Sequence, residues 1–174
     1  MKHNSLVRGL IAFIALVLLA GCGGGGSGTA ANPFAGGRSF YFSAPPRGGG
    51  SEWDSGSFEV FVQPDGSFES NGVAVLNFYT GATNFSGFEG DVTSGHINTD
   101  GSFVIEATIN KEQYPWTPMA RPYTVVASGR AIARGAHYEG TINVAYHDVT
   151  PPRVVVYDLS VNKMDRSKKI KGAH

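Results

Sequence analysis

Three stretches of this chain alternate apolar and polar side chains with a period of two, and only one kind of secondary structure has that period. Phe58, Val60 and Val62 alternate with Ser57, Glu59, Phe61 and Gln63. Phe103, Ile105, Ala107 and Ile109 alternate with Val104, Glu106 and Thr108, and Tyr138, Gly140, Ile142, Val144 and Tyr146 alternate with His137, Glu139, Thr141, Asn143 and His147. A strand turns successive side chains to opposite faces, so one face of each stretch is apolar and the other mostly polar. This is the signature of half-buried antiparallel strands.

Leucine use supports the same class. Leu6, Leu10, Leu16, Leu18 and Leu19 precede Cys22, and only Leu76 and Leu159 follow it. A helical core without leucine forgoes the residue that best combines helix propensity with apolar bulk, whereas Val, Ile, Phe and Tyr suit strands.

Turn chemistry divides the strands. Pro64-Asp65-Gly66 and Thr99-Asp100-Gly101 carry Asp-Gly hairpin signals, and Arg134-Gly135 and Pro151-Pro152 punctuate later runs. The reading predicts eight strands near 38–44, 56–63, 67–79, 85–98, 102–110, 122–133, 136–149 and 153–163. Short connections imply a meander, because parallel pairing needs long crossovers. An all-β antiparallel meander of this size closes into a small β-barrel, which removes its edges, or packs as a two-sheet β-sandwich. The polar rows of Glu59, Gln63, Glu106, Thr108, Glu139 and Asn143 oppose a barrel that spans a membrane, whose outward positions are apolar.

Two internal echoes accompany the pattern. Gly-Ser-Phe begins at Gly56, Gly66 and Gly101, twice directly after an aspartate, and Phe88-Glu89-Gly90-Asp91-Val92 is matched by Tyr138-Glu139-Gly140-Thr141-Ile142. Glycine inside a strand relieves crowding where the strand bends, with a flanking aromatic covering it.

The N-terminus reads as an address. Lys2 and Arg8 form a positive segment, Gly9 to Ala20 supply an apolar run, and Leu19-Ala20-Gly21-Cys22 follows. The run is shorter than the roughly 20 apolar residues of a spanning helix. Leu19-Ala20-Gly21-Cys22 resembles the lipobox of bacterial lipoproteins. The resemblance implies a diacylglyceryl group on the Cys22 thiol, cleavage before Cys22 and, often, acylation of the new amine. In general style the later domain also resembles the small glycine-rich β-barrels of some bacterial surface lipoproteins, with no motif that carries residues over.

On this reading residues 1–21 are a signal peptide, 22–37 a lipidated cysteine with a glycine-rich tether, 38–163 the β-domain and 164–174 a basic tail. One acyl chain anchors marginally, whereas two or three hold firmly. The tether's root-mean-square reach over some 13 residues is roughly 20 Å. With Cys22 the only cysteine and its thiol used, the domain forms no disulfide. The expected location is the cell envelope, facing the periplasm or the exterior. Gly23 stands where an aspartate retains Gram-negative lipoproteins at the inner membrane, so the resemblance points to the outer membrane where the organism has one.

The mature chain holds 12 basic and 14 acidic residues, with Lys163, Arg166, Lys168, Lys169 and Lys171 crowded at the C-terminus. Nucleic acid is not an expected partner of such a body. The tail reads either as a solubilising end or as a contact for anionic lipid or polymers.

Signatures of chemistry are sparse. Gly-x-Ser-x-Gly, His-Glu-x-x-His, a phosphate-binding glycine loop and a cysteine pair are all missing, so no catalytic residue, cofactor or metal is expected. His137, Glu139, His147 and Asp148 are the most metal-like set, but ten residues of strand separate His137 from His147. That is roughly 33 Å, which makes these solvated surface residues. His96 has no evident partner.

Tyr114-Pro115-Trp116-Thr117-Pro118, running on to Met119 and Pro122, is the longest aromatic and proline-rich connection. An aromatic face on a stiff backbone loses little entropy when it stacks on a sugar or lipid, yet Tyr114 and Trp116 can equally plug one barrel end. Trp53, after the glycines at 48–50, poses the same alternatives. Three functions stay open. The first is a non-catalytic envelope module binding a partner protein, glycan or small ligand through Trp53, Tyr114 and Trp116. The second is a structural spacer or assembly subunit without a pocket, and the third is an enzyme with an unrecognised site. A filled interior favours the second over the first.

Overall fold

The structure is a computed structural model that describes residues 31–43, 54–80, 84–113 and 117–164. Cys22, Trp53, Tyr114 and Trp116, on which the lipidation and loop-binding expectations fall, lie outside those residues, as does the basic tail beyond 164. The chain divides into Met1–Ala30 and Ala31–His174, and all described residues belong to the second unit.

Eight antiparallel strands follow one another as a meander: β1 (Gly36–Ser43), β2 (Ser55–Val62), β3 (Gly72–Thr80), β4 (Asn84–Ile97), β5 (Ser102–Glu112), β6 (Thr117–Arg134), β7 (His137–Tyr146) and β8 (Arg153–Lys163). Each pairs with the next. β8 returns to β1 from Arg38↔Lys163 to Ser43↔Asp158, which closes the sheet as a barrel. That pairing decides between barrel and sandwich. The predicted alternation holds: Phe58, Val60 and Val62 of β2, Phe103 to Ile109 of β5, and Ile142, Val144 and Tyr146 of β7 are buried in one core. Apolar groups fill the bore, while the outward rows mix polar side chains with exposed Tyr41, Val104, Ile132, Val154 and Val156.

Both sequence echoes have a mechanical cause. In each Asp-Gly turn the aspartate Oδ1 accepts from the following serine's N–H, at 2.9 Å for Asp65–Ser67 and for Asp100–Ser102, and from its hydroxyl at 2.7 Å. Gly66 and Gly101 take φ of 95° and 84°, the region that disfavours a side chain. Gly90 and Gly140 are the inward glycines of the second echo. A Cβ at either would strike the carbonyl oxygen of the partner strand, of Thr108 and of Arg130 respectively.

The expected strand at 67–79 starts later, at Gly72. Ser67 and Phe68 leave the ladder and make isolated bridges, to His96 and to Val62. The Ile97 N–H donates to Gly66 O at 2.9 Å and the Phe68 N–H to Gly95 O at 3.1 Å, so the first Asp-Gly turn folds over the barrel end and Phe68 meets Phe40 at 5.9 Å between centroids. β7 ends at Tyr146, short of the predicted 149, and β6 begins at Thr117, well before 122.

Three irregularities turn the strands, the first where Asn110 is an extra residue between Glu89↔Lys111 and Gly90↔Ile109. Thr93 is an extra residue between Val92↔Ala107 and Ser94↔Glu106, so the buried row of β4 changes phase from Val92 to Ile97. Between Ile109↔Tyr123 and Lys111↔Pro118, residues 119–122 of β6 stand opposite Asn110 alone. Pro118 and Pro122 bracket that excursion, and neither has an N–H for the ladder.

The packed fold also starts earlier than residue 38. Asn32 and Phe34, expected within the flexible tether, are 5% and 1% exposed. The Asn32 Nδ2 donates to Ile97 O at 2.8 Å and its Oδ1 accepts the Phe34 N–H at 2.9 Å, which locks the segment into a turn. Phe34 then lies 4.4 Å from the Tyr138 ring. Arg38 is 3% exposed and clamps the turn: Nε donates to Phe34 O at 2.7 Å, and Nη2 to Pro33 O at 2.9 Å and Ala35 O at 3.2 Å. Burial lowers the guanidinium pKa from its usual value, and the Tyr138 hydroxyl acts in the opposite sense. This is the plugged end of the barrel, and the last described residue leaves there too, with the Met164 N–H on Gly37 O at 3.1 Å.

Candidate functional site

The opposite end, where β3, β6 and β8 bring Phe78, Tyr123 and Arg153 together, holds a cleft of about 540 Å³. We call this end the mouth. Phe78 from β3 and Phe88 from β4 meet edge to face at 5.8 Å, and Phe78 also meets Tyr146 at 5.6 Å. Across from them the β6 excursion supplies Met119, Arg121 and Pro122, while His147 and Asp148 come from the β7–β8 turn and Arg153 opens β8. The His147 N–H donates to Thr124 O at 3.0 Å and fixes that turn to β6.

Arg153 occupies the centre of this arrangement. Its guanidinium carbon lies 4.5 Å from the Tyr146 ring centroid and 5.5 Å from that of Phe78. Both rings attract the cation through their negative faces, so packing holds the group without occupying its N–H donors. Beneath it, Tyr146 and Tyr157 are each 1% exposed and share a hydroxyl hydrogen bond of 2.9 Å. Among the described residues neither Arg153 nor Arg121 is paired with a carboxylate; the ion pairs there are Lys111–Glu89, Arg130–Asp100 and His137–Glu139.

Two tyrosines at the mouth have displaced titrations. Burial pushes the Tyr123 phenol up to about 12, Asp148 adds to the shift and Arg153 opposes it. Tyr146 moves in the same direction, chiefly through burial and then through Tyr157, with Asp54 also raising it and Arg153 opposing. Both stay protonated near neutral pH and act there as hydrogen-bonding, ring-bearing groups.

A second hollow of about 510 Å³ lies at the plugged end, between Pro33, Phe34 and Tyr138, the β4–β5 turn and the end of β6. Its cation is already neutralised, because Arg130 Nη2 lies 3.4 Å from Asp100 Oδ2. The two hollows therefore differ in kind.

The expected surface histidines are where their spacing implied. His137 Nε2 meets Glu139 Oε1 at 2.8 Å on an exposed face, whereas His147 sits beyond the other end of β7. Among the described residues no cluster of three His, Cys, Asp or Glu side chains could hold a metal ion. His96, expected to lack a partner, has one: Nε2 lies 3.1 Å from Asn98 Oδ1.

Met119 and Pro122 of the aromatic connection do line the mouth, while Tyr114 and Trp116 lie outside the described residues. Phe78, Phe88, Tyr123 and Arg153 escaped sequence reasoning because four strands contribute one or two residues each. Arg153 directly after Pro151-Pro152 was the one visible hint, a charge at a strand start where the row continues into Val155 and Tyr157. No family model matches the chain, and no curated protein or solved structure matches it either.

Proposed function

We propose that this protein is a lipoprotein of the bacterial cell envelope, anchored through lipid on Cys22, whose barrel is a non-catalytic module that binds a partner protein, glycan or small ligand at its mouth. The sequence Leu19-Ala20-Gly21-Cys22 supports the anchor. The observation that carries the binding reading is the contrast of ends. Chain entry at Asn32 and chain exit at Met164 share the plugged end, and the aromatic, cation-bearing cleft is at the other. The cleft volume falls within the range of small-molecule sites.

The filled bore supports a second reading, an envelope spacer or assembly subunit. Phe40, Phe42, Phe58, Leu76, Ile105 and Tyr157 pack the interior, so a ligand would sit at the mouth and not inside the barrel.

Two measurements test the proposal. Labelled palmitate should enter the wild-type chain and not Cys22→Ser, which should leave the membrane fraction; equal labelling and fractionation of both would end the lipoprotein reading. A photo-crosslinking residue at Met119, compared with one at Ile132 on the plugged end, should capture a specific cellular adduct in intact cells. Identical adducts from both positions, or none from Met119, would favour the spacer.

A further inference from the structure

Binding at the mouth leaves open what is bound, and the chemistry of the cleft narrows it. Two guanidinium groups, Arg121 and Arg153, line it, and neither has a carboxylate partner among the described residues. Arg153 is held by ring contacts at 4.5 and 5.5 Å, which fix the group while sparing its N–H donors. A guanidinium presents those donors as a planar fork that matches a carboxylate's two oxygens. Arg121 stands on the four-residue excursion between Pro118 and Pro122, where proline limits the backbone freedom that binding would otherwise remove.

The remaining charges set how much negative charge fits. Asp148 lines the same cleft and offsets one of the two cations, and Asp54 contributes a negative field at Tyr146. His147 completes the titratable lining with Tyr123. With Asp148 and Asp54 set against the two guanidiniums the net charge is near zero, so a doubly charged phosphate is disfavoured and a singly charged group depends on the guanidinium fork itself. The other walls are Phe78, Phe88, Met119 and Pro122, which call for hydrocarbon or an aromatic ring.

Resting on the mouth-binding reading above, we infer that the cleft takes a small organic monocarboxylate, with its carboxylate on the fork of Arg153 and within reach of Arg121 and its apolar body against Phe78, Phe88 and Met119. This is a separate site from the plugged-end hollow, where the Arg130–Asp100 pair leaves no cation for an anion.

The test is calorimetric titration of the full-length lipidated protein in nanodiscs, with empty nanodiscs subtracted. The probes are 4-phenylbutyrate and its neutral counterpart 4-phenylbutanamide. The acid should bind, and the amide should bind at least about tenfold more weakly, as expected where a charge-assisted hydrogen bond is lost. R153Q and R121Q should each weaken the acid by about tenfold and leave the amide unchanged. R121Q keeps the test decisive if R153Q disturbs the rings beneath it, because Arg121 is exposed. Equal affinity for acid and amide, or acid binding indifferent to both variants, would overturn the monocarboxylate inference while mouth binding stands. No heat from either probe would overturn it too, and the Met119 crosslink would then judge mouth binding by itself.

Discussion

The two ends of the barrel are made from the same strands but solve opposite problems. At the plugged end the buried polar groups and the turn carboxylates are satisfied within the chain: Arg38 by three carbonyls, Asn32 by Ile97 O and the Phe34 N–H, Asp65 and Asp100 by the serines that follow them. At the mouth Arg153 stands over the Tyr146 and Phe78 rings, and among the described residues neither it nor Arg121 is paired with a carboxylate. Internal satisfaction stabilises a fold, whereas cations without a carboxylate on a rigid support serve recognition. One end secures the barrel, and the other carries the aromatic, cation-bearing cleft.

The sharpest way to break this comparison is Phe34→Ala. Truncating a buried aromatic leaves a cavity, so urea unfolding should show a loss of about 3 kcal/mol. A loss under about 1 kcal/mol would mean that the plug does not secure the barrel. Next is Arg38→Ala, with an expected loss of about 2 kcal/mol as the charge-assisted bond to the buried Phe34 carbonyl disappears. Amide exchange at Phe34 and Ala35 should accelerate in that variant, and Arg38→Met should recover part of the loss by filling the space without a buried charge.

At the mouth the alkaline limb of stability is the probe. The Tyr123 phenol titrates near 12 in the fold against 10.0 for an ordinary tyrosine. Between those values the unfolded chain releases a proton that the folded chain keeps, so this group's contribution to stability is full below about pH 10 and declines above it. Melting temperature measured from about pH 9 to 12 should fall less steeply in Tyr123→Phe than in wild type. Absorbance at the tyrosinate band should show one fewer late-titrating phenol.

The acid limb probes the plugged end. Serine hydrogen bonds hold the Asp65 and Asp100 carboxyls below the ordinary 3.8, side-chain bond first and backbone bond second. Their contribution is present above that value and is lost as pH falls below it. The Asp65→Asn/Asp100→Asn double variant should flatten the melting curve in that acid range while leaving the alkaline limb as it was. The smallest effect belongs to Arg121→Gln, which should change stability by less than about 0.5 kcal/mol because the side chain is exposed. A larger loss would show that the mouth, like the plug, is held by its charges.

Much of the fold was readable in the residues. β2 alternates buried and partly buried positions along its whole length, and β7 does the same near its mouth end, because a sheet with one dry face forces period two. Asp-Gly-Ser marked two of the turns, since a carboxylate can bond locally to the next serine without help from the rest of the chain. The plug was harder to see: Asn32 and Phe34 follow a run of glycines, and only the distant Ile97 carbonyl and Tyr138 ring make them part of the core. Phe34 was the available clue, the one large apolar side chain between Leu19 and Phe40.

Sequence alone determined the strand count, the inward and outward faces of the regular strands and the Asp-Gly turns, because each depends on neighbours within a few residues. Tertiary structure alone decided that β8 meets β1, that Thr93 and the 119–122 excursion re-aim their strands, and that Arg153 lies over Tyr146 and Phe78. Those outcomes join residues tens of positions apart, and closure of the sheet fixes their register in a way that no local preference can.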